Sequence, residues 1–206
     1  GDDLCVTVDR LAYGGEAVGR HHGLVVFASG AAPGETVRVR VRRVQRRHVE
    51  ADVVSVEKAS PERVEPRCVH FAQGCGGCTW QHVDYAGQLR AKETAVRDSL
   101  ERLGRLQDLP LRPIIPAPSP WHYRNKMEFA FHPEGVLGLH PRGAWHSILP
   151  LHECFLAPPP TVALVKAVQA FAREANLSLH DPRTHQGLLR ALVVRHSRGS
   201  GETMVG

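Results

Sequence analysis

Four cysteines are the residues of this chain whose type and spacing could do chemistry. Cys68, Cys75 and Cys78 lie close together in a glycine-containing loop, and Cys154 lies far downstream. Thiolates bind zinc and iron, and sites for both metals commonly take four of them. The two glycines between Cys75 and Cys78 let the loop curl around a metal, because glycine adopts positive φ without steric penalty. The spacing therefore predicts a metal centre with Cys154 as its fourth ligand, and it leaves zinc and iron–sulfur open as alternatives.

The composition is typical of a soluble globular protein. Of 206 residues, 42% are hydrophobic and 23% are charged. We expect a cytoplasmic protein without membrane contact, because no apolar run approaches the length of a membrane span and no signal-peptide pattern is present. An odd number of cysteines favours metal or redox chemistry over a closed set of disulfides. Cys5 lies in a predicted strand, where we expect a small core residue.

Arginine alternates with valine between residues 36 and 44. This period of two predicts a half-buried strand with valines inward and arginines outward. Because no acidic residue lies between Glu35 and Glu50, we interpret the row as a surface for the phosphates of RNA or DNA rather than a merely solvated strand face. The net charge of +5 agrees with a polyanionic partner. The candidate nucleic-acid-binding residues are Arg38, Arg40, Arg42, Arg43, Arg46 and Arg47.

The first sixty residues are predicted to be all-β. Short strands separated by glycine, proline and aspartate, one of them strongly basic, indicate an OB-like barrel. The predicted strands are 4–10, 23–29, 35–43 and 49–57, with turns at 14–19 and 32–34. A proline-bounded connector at 60–66 places the predicted domain boundary between a barrel of residues 1–60 and a second domain of residues 61–206.

The second region is predicted to be α+β. Its first helix begins after Asp84 as N-cap and ends at Gly104. A second helix is predicted from about residue 161 to 176, and a glycine-rich hairpin turn at 198–201. The apolar stripe predicted for the first helix is Tyr85, Leu89, Val96, Leu100 and Leu103. The predicted strands are 126–131, 136–139, 147–150, 189–196 and 203–205.

Short motifs spread over nearly the whole chain carry a family resemblance. They are Tyr13-Gly14-Gly15-Glu16, Pro33-Gly34-Glu35, Cys75-Gly76-Gly77-Cys78 followed by Gln81-His82, Gln88-Leu89 with Lys92, Tyr123-Arg124-Asn125-Lys126, Gly138-Leu139-His140, Cys154, and Gly187-Leu188-Leu189-Arg190. In this order the chain resembles the RNA uracil-5-methyltransferases that carry an N-terminal TRAM domain and an iron–sulfur cluster, of the kind that forms 5-methyluridine in 23S rRNA.

The resemblance implies a TRAM barrel, a central α+β domain and a [4Fe-4S] cluster held by the four cysteines Cys68, Cys75, Cys78 and Cys154. It also implies an RNA substrate, with ribosomal RNA favoured over transfer RNA, and a monomer. The resemblance implies that Arg124, Asn125 and Lys126 contact the substrate. The residues alone indicate only the polar end of a strand. Six residues separate Cys68 from Cys75 where the family usually has five, and Gly74 can absorb the extra residue.

The catalytic chemistry that the resemblance implies has no residues assigned in this chain. A cysteine thiolate of such enzymes attacks C6 of uracil, and S-adenosylmethionine supplies the methyl group to C5. No cysteine follows Cys154, and no glycine-rich loop joins a strand to a helix in the required way. We therefore expect the S-adenosylmethionine site of the full-length enzyme to lie outside this chain, and the chain alone to bind RNA and a cluster without methylating.

Two other classes remain as alternatives. One is a zinc-stabilised RNA-binding module without enzymatic activity. The other is a radical S-adenosylmethionine methylthiotransferase, which would require a cysteine motif with three and then two intervening residues; this sequence has no such motif.

Overall fold

The computed structural model describes residues 2–181 and 183–206, which form two compact units. The first unit comprises the residues up to Glu65 together with Thr79–Pro116, and the second comprises Pro66–Cys78 and Ala117–Gly206. The cysteine loop thus belongs to the second unit, although the helix that follows it belongs to the first. Across the described ranges, no helix combines the length and apolar character needed to cross a lipid bilayer.

The first unit is built on a closed five-stranded barrel. Its strands follow the order β1-β2-β3-β5-β4, with β3 and β5 parallel and the other neighbours antiparallel. This arrangement confirms the OB-like barrel expected from the sequence. The strands are β1 (Asp3–Leu11), β2 (Ala17–His21), β3 (Leu24–Ser29), β4 (Thr36–Val44) and β5 (His48–Lys58).

Side chains alternate along β4 as predicted, with its apolar residues pointing into the barrel. Val37 and Val39 are fully buried, and the arginines between and after them are exposed. The prediction for Cys5 was wrong: this residue is exposed, because it alternates with the buried Val6 along β1. The predicted turn at 14–19 was too long, since β2 begins at residue 17. Gly19 lies in that strand, where a Cβ atom would come within 2.3 Å of a carbonyl oxygen of β1.

Three α-helices occur in the described residues: α1 (Val69–Ala72), α2 (Tyr85–Asp98) and α3 (Pro160–Glu174). In the first unit, α2 begins as predicted, because the Asp84 carboxylate accepts a hydrogen bond from the Gly87 amide at 2.5 Å. A π-helical segment, Ser99–Leu103, prolongs it to Gly104.

The apolar stripe predicted for α2 is only partly confirmed. Val96 and Leu103 are exposed, the other three residues of the stripe are half-buried, and the buried residues of the helix are Gly87 and Ala91. A Cβ atom on Gly87 would come within 2.6 Å of a carboxylate oxygen of Glu62. The helix therefore packs most closely through its smallest residues, which the periodicity of large apolar residues did not indicate.

The second unit contains a five-stranded antiparallel sheet in the order β10-β9-β6-β7-β8. Its core joins Phe129, Leu137 and Val194 from the strands to Val165 and Ala172 from α3. All five predicted strands and the second helix are present, some with shorter bounds, so the α+β class is confirmed. The strands are β6 (Lys126–Phe131), β7 (Leu137–Leu139), β8 (Leu149–Pro150), β9 (Ala191–His196) and β10 (Thr203–Val205).

Candidate metal centre and candidate nucleic-acid interface

The cysteine loop of the second unit is held by backbone hydrogen bonds. Cys68 is the N-cap residue of the short helix α1, and the Cys75 amide donates to the His70 carbonyl at 2.9 Å. The Gly76 amide donates to the carbonyl of His140, which follows β7, at 3.0 Å. The loop is therefore tied to the sheet at the point where the second and third thiols lie.

Close approach requires glycine at residue 76 and favours it at residue 77. Neither residue has a positive φ, so the prediction that they curl the loop through that conformation was wrong. A Cβ atom on Gly76 would lie 2.7 Å from the His140 carbonyl oxygen, and one on Gly77 would lie 3.3 Å from Leu139 and 3.5 Å from the sulfur of Cys75. The Gly77 amide also donates to the Cys75 sulfur at 3.4 Å. Amide-to-sulfur hydrogen bonds of this kind stabilise thiolates at iron–sulfur sites.

The fold brings the remote cysteine to the loop. Cys75 lies in the hydrophobic core of the second unit, and Cys78 and Cys154 both pack against that core. Cys68 and Cys75 are each only 8% exposed. Cys154 lies close enough to Cys68 and Cys75 for its electrostatic interaction with them to contribute to the raised pKa of both thiols. All four cysteines therefore lie in one region of the second unit.

Burial sets the protonation of these thiols. Burial raises the pKa of the Cys68 thiol, and Glu153 and Cys154 raise it further. Burial likewise raises the pKa of the Cys75 thiol. Both thiols are therefore protonated at neutral pH until a metal displaces their protons, because only the thiolate is a ligand.

His70 and Glu153 lie beside the first cysteine. Within the described residues, the possible ligand atoms of Cys68, His70 and Glu153 lie within 4.8 Å of one another. His70 is fully buried, and burial, together with the adjacent His152, lowers its pKa. Neither His70 nor Glu153 was predicted as a site residue; the Cys-x-His spacing at 68–70 was the available signal.

The residues fit the cluster that the resemblance implies. The thiols of Cys75, Cys78 and Cys154 lie outside the compact group around Cys68, and a cluster of four irons tolerates this because it spreads its thiolates more widely than one ion does. The donor set of soft sulfur ligands in an apolar, partly closed region suits iron–sulfur or zinc.

The arginine row of β4 lies on the outer face of the barrel, but it is largely neutralised. Neighbouring strands supply carboxylates to Arg38, Arg40 and Arg42, so the row presents less positive charge than the sequence indicated. Exposed pairs of this kind contribute little stability. The pairs are Arg38–Glu57 at 3.2 Å, Arg40–Asp3 at 3.1 Å, Arg42–Asp52 at 3.4 Å and Arg42–Glu50 at 3.6 Å.

The connection between β4 and β5 keeps its positive charge. Arg46 and Arg47 are exposed there and form no ion pair with any described residue. Arg43, at the end of β4, faces the neutral side chain of Gln45, which accepts at 2.8 Å when its amide is turned to do so. The three arginines Arg43, Arg46 and Arg47 form what we call the hairpin tip.

Arg124, Asn125 and Lys126 lie at the start of β6 in the second unit. The Arg124 amide donates to the Leu156 carbonyl at 3.0 Å, and its guanidinium contacts the sulfur of Met127 at 3.8 Å. Asn125 and Lys126 are exposed. The backbone of this strand end is satisfied, and two polar side chains remain accessible to a ligand.

Comparison with known proteins identifies the domain family that the barrel matches. Residues 1–54 match the TRAM domain family. The barrel of the first unit is thus a TRAM domain.

The relatives of the whole chain are RNA methyltransferases. It is 40% identical to an uncharacterized RNA methyltransferase of Nitratidesulfovibrio vulgaris, with 100% of this chain and 44% of the relative covered. It is 35% identical to one of Chlorobaculum tepidum, with 100% of this chain and 46% of the relative covered. The resemblance to TRAM-domain RNA methyltransferases is thereby confirmed, and the chain spans somewhat less than half the length of these relatives.

A solved structure agrees with this assignment. The chain is similar to the Pyrococcus abyssi tRNA (uracil-54, C5)-methyltransferase, solved in complex with S-adenosyl-L-homocysteine. The TM-score is 0.68 at 26% identity, with 97% of this chain and 44% of that chain covered.

Proposed function

We propose that this chain is the RNA-binding and metal-holding part of an S-adenosylmethionine-dependent RNA uracil-C5 methyltransferase that forms 5-methyluridine. The observation that carries the proposal is the similarity of 97% of the chain to a uracil-C5 methyltransferase at a TM-score of 0.68. S-adenosylmethionine is the proposed methyl donor of the whole enzyme, and the enzyme is proposed to act as a cytoplasmic monomer. The proposed domain organisation is a barrel of residues 1–60 followed by a central domain of residues 61–206.

The proposed metal is a [4Fe-4S] cluster held by Cys68, Cys75, Cys78 and Cys154. Support comes from the shared region of Cys75, Cys78 and Cys154, from the proximity of Cys68 to Cys154, and from the Gly77 amide that donates to the Cys75 sulfur. Uracil methylation requires no electron transfer, so the cluster would supply a structural link between the loop and the segment of Cys154. The zinc-stabilised module stays as a second candidate, because four thiolates are also a common ligand set for a single zinc ion.

Elemental analysis separates the two metals. Protein purified without oxygen is expected to contain about four irons and four acid-labile sulfides per chain, and to be brown with absorption that dithionite bleaches. One zinc per chain in a colourless protein would replace the cluster proposal with the zinc module.

The proposed RNA contacts centre on the hairpin tip, since its charges are unpaired within the described residues. Arg38, Arg40 and Arg42 join the proposed surface only where RNA phosphates displace their carboxylate partners. Arg124, Asn125 and Lys126 are proposed contacts of the second unit. Ribosomal RNA is the target that the sequence resemblance favoured, and transfer RNA is named for the solved neighbour; the assay therefore includes fragments of both.

Salt dependence of RNA binding tests the proposal. Two double variants change the net charge by the same amount: Arg46→Gln with Arg47→Gln, and Arg38→Gln with Arg40→Gln. The tip variant is expected to lower the slope of log K against log salt by about 1.4 to 1.8, because two phosphate contacts are lost. The paired-row variant is expected to lower it by less than about 0.5, since its arginines already face carboxylates.

Fluorescence anisotropy over a salt series measures both slopes. Equal losses in the two variants would refute the hairpin tip as the main RNA contact. Failure of the parent chain to bind either RNA above the level of an acidic control protein would refute the RNA-binding function itself.

A further inference from the structure

His70 is a polar side chain in a fully buried place. Its ring is 0% exposed, and it lies two residues after Cys68 in α1. A buried imidazole must find partners for both ring nitrogens, because an unpaired buried polar atom is destabilising. Both partners are present, and their chemistry differs.

The first partner fixes the tautomer. The backbone N–H of His152 points at Nε2 of His70 with an N···N distance of 3.3 Å. A backbone N–H can only donate, so Nε2 must offer its lone pair. A neutral imidazole has one acceptor and one donor, so the ring proton of His70 lies on Nδ1.

The second partner is a sulfur. Nδ1 of His70 lies 3.6 Å from Sγ of Cys68. Because Nδ1 carries the proton, it has no lone pair free for a metal. His70 is therefore not a ligand, although its ring lies in a compact group with Cys68 and Glu153.

We propose that His70 is a positioning residue of the metal centre, whose Nδ1–H donates a hydrogen bond to the ligating sulfur of Cys68. This inference rests on the proposed metal centre and adds a residue to it. The bond orients the thiolate and stabilises its negative charge, as groups around the ligands of metal sites commonly do.

The same ring connects the first and fourth ligands. His152, whose amide holds Nε2, precedes Cys154 by two residues, and the Glu153 carboxylate accepts from the amide of Val69 at 3.0 Å. Residues 68–70 and 152–154 are thus joined by two hydrogen bonds independent of any metal. His70 sets the distance between the two segments and donates to the sulfur at the same time.

The test compares His70→Asn with His70→Leu in the whole chain. The side-chain amide of asparagine can take the place of Nδ1–H and donate to the sulfur, whereas leucine fills similar volume without a donor. Both variants lose the acceptor for the His152 amide, so the difference between them isolates the bond to sulfur.

The measurement is the rate at which a chelator removes metal from the reconstituted protein, together with the midpoint potential of an iron-loaded sample. We expect the leucine variant to lose metal about 10 to 100 times faster than the parent. Its midpoint potential should be lower, because hydrogen bonds to the sulfurs raise that potential. The asparagine variant should restore most of both properties. Equal rates and potentials in the leucine variant and the parent would overturn the inference.

A second measurement examines the ligands of the metal directly. X-ray absorption at the metal edge of the parent chain is expected to show sulfur ligation without imidazole. Imidazole scattering that disappears in His70→Leu would make His70 a ligand and overturn the inference, while leaving the metal centre in place. A parent chain that binds neither iron nor zinc would instead refute the metal centre, and this inference with it.

Discussion

Glu35→Gln removes a fully buried negative charge from the barrel unit. The Glu35 side chain is 0% exposed, and its carboxylate accepts from the amide of Ala32 at 2.8 Å and from the amide of Ser60 at 3.4 Å. It also accepts two bonds from the guanidinium of Arg63, one of them at 2.8 Å. One carboxylate therefore joins the turn before β4 to the connector after β5.

The expected loss of folding stability follows from the positive charge of Arg63, which stays in the variant without its carboxylate partner. Removing one partner of a buried ion pair costs about 3–5 kcal/mol, because the other charge stays behind unpaired. The Arg63 side chain is 27% exposed and keeps a bond to the Gly30 carbonyl at 2.9 Å, so water and that carbonyl recover part of the loss. We therefore expect the free energy of unfolding to fall by about 3 kcal/mol, the low end of this range. For a unit of roughly 100 residues this lowers Tm by about 12–24 °C.

The stabilisation that Glu35 provides should decrease as the pH falls. Burial acts to raise the pKa of Glu35, but the bonds from Arg63 and Ala32 outweigh it and hold the pKa below its ordinary value. A carboxyl with a lowered folded pKa stabilises the fold above its unfolded pKa, and this contribution is lost as pH falls through the folded pKa. The difference in Tm between parent and variant should be full at pH 7 and shrink as the pH falls below about 4.

Calorimetry gives Tm, and hydrogen exchange of β4 amides assigns the transition to the barrel unit. Glu57→Gln is the matched control, because Glu57 pairs with Arg38 on the exposed face of the same sheet. The control should leave Tm nearly unchanged. Equal Tm values for the Glu35 variant and the control would refute this account of the buried pair. A Tm difference between parent and Glu35 variant that does not shrink in acid would also refute it.

Two further predictions concern the second unit. Gly138→Ala should disrupt β7 and β8, because the new Cβ atom would lie 1.9 Å from the backbone oxygen of Leu149. Gly199→Ala, at a position with open space, is its control; exchange of β7 amides measures both, and equal protection in the two variants would contradict the close-approach argument. Cys78→Ser should lower metal content and Tm together, since the proposed metal ties the loop to Cys154. A serine variant that melts like the metal-loaded parent would show that the metal does not hold the unit together.

Local patterns predicted much of the fold correctly. The alternation along β4 identified its buried valines, and Asp84 identified the start of α2. Both signals are local: strand alternation and N-capping depend on residues that are neighbours in sequence. The prediction missed the buried residues of α2, where Gly87 lies against Glu62. A close approach between distant segments favours small residues, and no local periodicity of large side chains reports it.

The sequence by itself determined which atoms are available: thiols in a glycine-containing loop, and arginines on one face of a strand. Only the tertiary structure decided what those atoms meet. Strand pairing places Asp3 opposite Arg40 and so neutralises part of the arginine row, and the sheet brings Cys154 to the loop of Cys75. The reason is physical. Residue type and spacing are local properties, whereas electrostatic pairing and metal ligation act between atoms that only the packing of distant segments brings within a few ångströms.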